Sequence, residues 1–194
     1  MADKQNDKLI LAIVGMPGSG KSEVAEYLQN KNIPFVRFGD LNDEELKRQG
    51  LDWTPENTAK IRLEMREKHG MDVYAVRSKP KIEKLLQMNN IIAIDGLYSW
   101  EEYKFLKEEF KNLFLIHVYA EPPIRYERLV QRSSRKFSCA EARTRDISEI
   151  EKINKGGPIA IADYLVENNS NDFDKLHDSI NLLLERLKDK KYER

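Results

Sequence analysis

The chain has 194 residues, enough for one domain with a full hydrophobic core. Its 33 Lys and Arg balance its 33 Asp and Glu, so net charge supplies no attraction toward nucleic acid or an anionic membrane. A single cysteine, Cys139, excludes an intrachain disulfide framework, and no apolar run reaches transmembrane length. The first eight residues are polar and carry no apolar signal segment, so the expectation is a soluble, cytoplasmic protein.

In chain order, Leu9–Val14 is an apolar run of strand length that ends at Gly15, and residues 23–28 begin a helically spaced stretch just beyond. Residues 34–38 read as a second strand, closed by Gly39-Asp40. Thr54-Pro55-Glu56 supplies an N-cap and an N1 proline for a helix over 56–68. Asp72 is placed to cap a helix over 73–79, with Pro80 kinking or dividing the stretch after it. Strands are expected at 90–95, 113–119 and 164–166, and helices at 99–110, 122–132 and 172–187. Residues 133–140 are the most loop-like interior stretch, and the surrounding lid is placed at about residues 132–146. Apolar strands alternating with amphipathic helices predict an α/β fold, a mostly parallel sheet covered on both faces, with ligands at the carboxyl ends of its strands.

Residues 15–22 read G-M-P-G-S-G-K-S, a complete P-loop between a strand and a helix. Glycine backbones let successive N–H groups converge on phosphate oxygens. Gly15, Pro17, Gly18, Ser19, Gly20, Lys21 and Ser22 are therefore the expected nucleotide-binding residues. Lys21 can reach the β- and γ-phosphates, and the Ser22 hydroxyl can ligate Mg²⁺. Asp95, closing a strand before Gly96, has the position of a Mg²⁺ ligand, direct or through water, or else of a turn residue. Asp40 also closes a strand. It can accept an acceptor's proton, hold metal-bound water, or merely cap the next helix.

Arg125, Arg128 and Arg132 share one helix face by their spacing, and Arg143 and Arg145 follow the loop-like stretch 133–140, which reads as a flap over the nucleotide. Beside a P-loop, Arg128, Arg132 and Arg145 are candidates to neutralise a transferring phosphoryl group; otherwise they form a solvated basic face. Arg62, Arg66 and Arg77 make a further basic set that suits the anion of a second substrate, or surface charge offset by Glu64 and Glu67. His117 reads as a core histidine and His69-Gly70 as a helix C-cap. No His/Cys/Asp cluster has zinc-ligand spacing.

The chain resembles the nucleotide-kinase branch of P-loop proteins. It is similar over nearly its whole length to an uncharacterised, mainly archaeal family of small kinase-like proteins. That likeness is carried by residues 14–21, Gly39-Asp40, residues 54–57, 66–72 and 94–96, Arg145-Asp146 and residues 161–164. A weaker likeness, to dephospho-CoA kinase, lies in the C-terminal half: Glu121-Pro122-Pro123, Arg128-Leu129, Arg132 and residues 160–169. The resemblance implies strand order 2-3-1-4-5 and a lid over ATP. It implies Asn168 and Asn169 near the adenine, Arg128 and Arg132 flanking the nucleotide, Arg145 at the transferring phosphate and Asp40 near the acceptor. Two departures stand out: no Arg follows Asp95-Gly96, and Gly39-Asp40 lacks the aspartate doublet of dephospho-CoA kinase.

The expectation is an ATP- and Mg²⁺-dependent phosphotransferase acting on a nucleotide-like small molecule, with Lys21, Asp40, Arg132 and Arg145 as its catalytic residues. The alternative is a nucleotide-dependent switch that hydrolyses ATP slowly and signals through lid closure. A kinase of polynucleotide ends fits the balanced charge less well.

Overall fold

The computed structural model describes residues 8–133, 136–170 and 172–189. Five strands, β1 (Leu9–Val14), β2 (Phe35–Arg37), β3 (Ile91–Asp95), β4 (Leu113–Tyr119) and β5 (Tyr164–Glu167), form one sheet in the order β2-β3-β1-β4-β5. Every neighbouring pair is parallel. β1 is the central strand, which explains its unbroken apolar sequence: in a parallel sheet covered on both faces, both side-chain sets are buried. Ile10, Ala12 and Val14 enter one core cluster, while Leu9, Leu11 and Ile13 enter the other. That split is the two-residue period of a strand.

The connections are helical. α1 (Lys21–Asn30) follows the P-loop, and α2 (Gly39–Arg48), α3 (Pro55–His69) and α4 (Val73–Met88) join β2 to β3. α5 (Trp100–Glu109) joins β3 to β4. Between β4 and β5 lie α6 (Pro122–Gln131), α7 (Cys139–Ile153) and α8 (Gly156–Ala160), and α9 (Phe173–Asp189) packs on α1 and β5. Leu176, Ile180, Leu183, Leu184 and Leu187 of α9 fill the second core cluster beside Val24 and Leu28 of α1.

Local chemistry sets most boundaries. The Thr54 hydroxyl accepts from Asn57 N at 3.1 Å with Pro55 at N1, and Ser99 and Glu102 close a reciprocal capping box. Asp163, in the turn before β5, accepts from Leu115 N at 2.9 Å and so ties that turn to β4.

Three expectations are corrected. Asp72 makes no side-chain cap, and α4 continues through Pro80 rather than dividing there. The stretch expected as a loop to residue 140 gives way at Cys139 to α7, a 15-residue helix, whose first part lies within the lid expected over about residues 132–146. Residues 134 and 135 of that lid lie outside the described set. The signal for α7 is present in the sequence: Ser138 and Glu141 are spaced as a capping box and form one, with Ser138 Oγ accepting from Glu141 N at 3.2 Å.

Candidate functional site

The P-loop leaves the carboxyl end of β1 and turns into α1 with two glycines wedged against other elements. A Cβ on Gly18 (φ 81°) would lie 2.5 Å from the carbonyl oxygen of Arg125 in α6. A Cβ on Gly20 (φ 102°) would lie 2.2 Å from the amide nitrogen of Asn168, beyond β5. Both contacts and both left-handed backbones demand glycine. No side chain caps α1 at Gly20, so the free N–H groups of its first turn face the loop. The Ser19 hydroxyl is buried without a hydrogen-bond partner. Unclaimed amides and an orphaned hydroxyl inside a glycine-shaped cradle suit a phosphate chain.

Around this cradle the described residues gather a charged neighbourhood. The Lys21 ammonium donates to Met16 O at 3.0 Å. It is pushed down to about 7, first by burial and then by the neighbouring ammonium of Lys155, against the attraction of Glu149 and Asp95. Asp95, half-buried at the end of β3, is shifted up by burial, which Lys21, Arg37 and Lys155 oppose. Tyr98, in the loop after β3, is pushed up to about 12 by burial and by the carboxylates of Asp95 and Glu149, so its phenol stays protonated. Ser22 is exposed on the first turn of α1.

Glu149 of α7 is the hub. Its carboxylate receives Arg145 Nε at 2.9 Å, Arg62 NH1 at 3.4 Å and the buried ammonium of Lys155. Three cations hold this carboxyl far below the usual carboxylate range despite burial, which acts the other way. The approach of Lys155 is built by Asn154, which ends α7 in the left-handed region (φ 54°) that asparagine tolerates. The chain folds back, Lys155 N donates to Glu149 O at 3.2 Å, and the ammonium settles 4.7 Å from the centre of the Tyr98 ring.

A second device fastens the loop to the same helix. Arg125 of α6, 5% exposed, donates to both carboxylate oxygens of Asp146 in α7, at 3.1 and 2.6 Å, and to Pro17 O at 2.9 Å. One guanidinium thus joins the P-loop, α6 and α7. An apolar cavity of about 600 Å³ lies alongside, between α6, α7 and α8 and next to Met16, with Ile147 and Ile150 on its wall.

The expected nucleotide-flanking residues have protein partners of their own. Asn168 is buried; it donates through its side chain to Ser19 O at 2.8 Å and through its backbone to Tyr119 O. Asn169 accepts from Glu121 N at 2.8 Å and donates to Glu167 at 2.9 Å. The Asn168 amide therefore braces the P-loop, while the Asn169 amide ties the end of β5 to the residue before α6. Arg128 reaches the same turn, donating to Ser170 O at 2.7 Å, while Arg132 is exposed at the end of α6. Asp40, in the first turn of α2, faces Arg37 at 3.3 Å and Lys81 at 3.5 Å.

The basic set expected for a second substrate divides. Arg62 reaches the Glu149 hub. Arg66, expected there, is instead 4% exposed, paired with Glu102 at 2.6 Å and stacked over Tyr74. It is a structural cation between α3 and α5. Arg77 lines a separate cavity of about 220 Å³ between α2, α3 and α4, which includes no P-loop residue. Sequence reasoning missed Glu149, Lys155 and Arg37 as members of the site, and it had no signal for them: each is joined to the site only by the fold.

This geometry agrees with what the chain is similar to. The family described as "AAA domain" matches residues 11–154. The UPF0200 protein of Thermococcus sibiricus is 35% identical over 187 residues, covering 94% of this chain and 97% of that protein. This chain belongs to the UPF0200 family. Among solved structures, shikimate kinase from Bacteroides thetaiotaomicron aligns over 93% of this chain and 98% of its own, with TM-score 0.60 and 14% identity. A gluconokinase from Sinorhizobium meliloti aligns over 97% and 100%, with TM-score 0.53 and 15% identity. At that identity the likeness shows the fold alone: this UPF0200 member has a P-loop kinase-like fold, with the sheet order that the resemblance implied. Among the described residues no helix is long and apolar enough to cross a membrane.

Proposed function

We propose that this UPF0200 protein is an ATP- and Mg²⁺-dependent phosphotransferase with a small, nucleotide-like acceptor. The observation that carries the reading is the meeting of Lys21, Asp95, Arg145 and Lys155 beside an uncapped helix N-terminus and an orphaned Ser19 hydroxyl. Loop amides and Lys21 hold the β- and γ-phosphates. A bound triphosphate draws Lys21 back to its charged form, since an adjacent anion favours the ammonium.

Ser22 and Asp95 are the residues that would hold Mg²⁺. No group of three His, Cys, Asp or Glu gathers for a metal among the described residues, so the remaining ligands would be phosphate oxygens and water. When bound, the ion would supply neutralising charge to the phosphate chain. Arg145 neutralises the equatorial oxygens of the moving phosphoryl group. The acceptor's hydroxyl oxygen forms a bond to the γ-phosphorus, the bond from that phosphorus to the β–γ bridging oxygen breaks, the hydroxyl proton passes to Asp40, and ADP leaves. Asp40 orients the acceptor hydroxyl from the end of β2. Positioning and electrostatics carry the reaction without a covalent enzyme intermediate. Arg132 belongs to the lid, placed at about residues 132–146 and continued by α7.

The test is phosphoryl transfer from ATP with Mg²⁺ to a panel of small hydroxyl and phosphate acceptors. Acceptor-stimulated ADP release is expected, and Lys21→Ala should lower it at least ~100-fold. Full turnover by Lys21→Ala overturns the reading. The Arg125 link from Pro17 O to Asp146 favours a second reading, a nucleotide-dependent switch, because loop occupancy would bear directly on α7. Tight ATP binding with no acceptor effect on turnover selects that reading.

A further inference from the structure

We propose that Lys155 and Arg62, gathered with Arg145 on the buried carboxylate of Glu149, form the binding site for an oxyanion carried by the acceptor, while Arg145 stays with the transferring phosphoryl group. On this inference the acceptor bears a phosphate or carboxylate group in addition to the hydroxyl that is phosphorylated. The inference rests on the phosphotransferase reading above and deepens it.

Charge balance singles this cluster out. Among the described residues two other buried carboxylates are held by arginine, and both are matched one to one. Glu102 takes Arg66 on one oxygen, and its other oxygen accepts from the backbone N–H groups of Tyr98 and Ser99 at 2.7 and 3.0 Å. Asp146 takes Arg125 on both oxygens, with the Tyr126 hydroxyl added at 3.1 Å. Each is a closed pair with a saturated acceptor. Glu149 differs: one negative charge draws three positive ones, from α3, from α7 and from the residue before α8. At Glu149 alone three cations face one carboxylate, an excess of two positive charges. Burying unpaired charge is costly, so such an excess at the carboxyl end of a sheet suits an anionic guest.

The three cations are graded in depth. Lys155 is 2% exposed, while the Arg62 and Arg145 side chains are 17% and 27% exposed. The cluster therefore meets solvent on its arginine side and closes inward on the Lys155 ammonium, the group that most depresses Lys21 after burial itself. An oxyanion entering past the arginines lies beside the phosphate cradle without occupying it. Glu149 is the positioning residue that keeps three mutually repelling cations together until it arrives.

The experiment loads the whole protein with ADP and Mg²⁺, then titrates inorganic phosphate in one arm and acetate in the other, by calorimetry. One of the two should bind the loaded protein; phosphate as the tighter ligand assigns a phosphate-bearing acceptor and acetate a carboxylate-bearing one. Arg62→Met, at the rim of the cluster, should weaken that binding at least tenfold, and Lys155→Met should do the same. Should Lys155→Met fail to fold, Arg62→Met decides alone. ADP binding followed by no heat from either anion overturns the proposal and leaves the phosphotransferase reading standing. So does phosphate that binds equally well to Arg62→Met, because that phosphate sits in the P-loop. Absence of ADP binding overturns the phosphotransferase reading, and this proposal falls with it.

Discussion

The P-loop and α7 both bring positive character to the same place, by opposite means. The loop does it with backbone: contiguous residues, glycines against Arg125 and Asn168, and the uncapped first turn of α1. Around α7 it is done with side chains from distant segments: Arg62, Arg145 and Lys155 meet on Glu149, and Arg125 meets Asp146. Recognition by backbone leaves a short, readable string of residues. Recognition by converging side chains leaves separate charged residues that look, one by one, like solvated surface. Damage should follow the same division, with loss of shape in one region and loss of charge balance in the other.

Four measurements sharpen that contrast. The largest effect is expected from Arg125→Ala, which leaves Asp146 buried without its cation and releases Pro17 O. It should cost about 3–5 kcal/mol in urea unfolding, and a loss below ~1 kcal/mol would remove the Arg125 link from the account. Gly20→Ala comes next. A left-handed backbone and a methyl driven into Asn168 should cost at least ~2 kcal/mol and weaken ADP in parallel; undiminished ADP affinity would show that the wedge is not needed.

Third, triphosphate binding should take up a proton. Lys21 titrates near 7 when free, and an adjacent phosphate returns it toward its ordinary value, so the bound form holds the proton over the window between the two. Affinity should therefore fall as pH rises from about 7 toward 10, by up to ~tenfold per unit for one proton. Calorimetry in buffers of different ionisation enthalpy measures this; a pH-independent affinity across the window breaks the Lys21 assignment. The smallest effect belongs to Lys60→Ala. Its pair with Glu64 spans 3.8 Å on an exposed face and should matter by less than ~0.5 kcal/mol in the same unfolding assay.

Legibility in the sequence follows the same physics. Five strands and the P-loop are readable because their signals are local: β1 is apolar throughout, and β4 runs over the expected residues 113–119. Sheet order comes from family resemblance rather than from periodicity, since pairing partners are set by contacts far apart in the chain. α7 escapes a linear reading although its Ser138–Glu141 box is in view, because the basic, polar stretch before it dominates. α8 is hidden by Gly156-Gly157-Pro158, a string that reads as a turn until Trp100 packs against it. The arginines show the limit most clearly. Arg62 and Arg66 are four residues apart on α3, yet one reaches the Glu149 hub and the other is sealed against Glu102. Spacing puts them on one face, but only the partner carboxylates on α7 and α5 separate them.

The fit of Gly157 under Trp100 has a practical consequence. A Cβ there would lie 2.7 Å from the indole, so the ring rests almost on bare backbone two residues beyond Lys155. A guest that moved that lysine would be expected to shift the peptide dipoles beside the indole. Emission from this tryptophan, with Trp53 replaced by phenylalanine to silence the other one, is therefore a label-free optical readout of ligand arrival that requires no knowledge of the ligand.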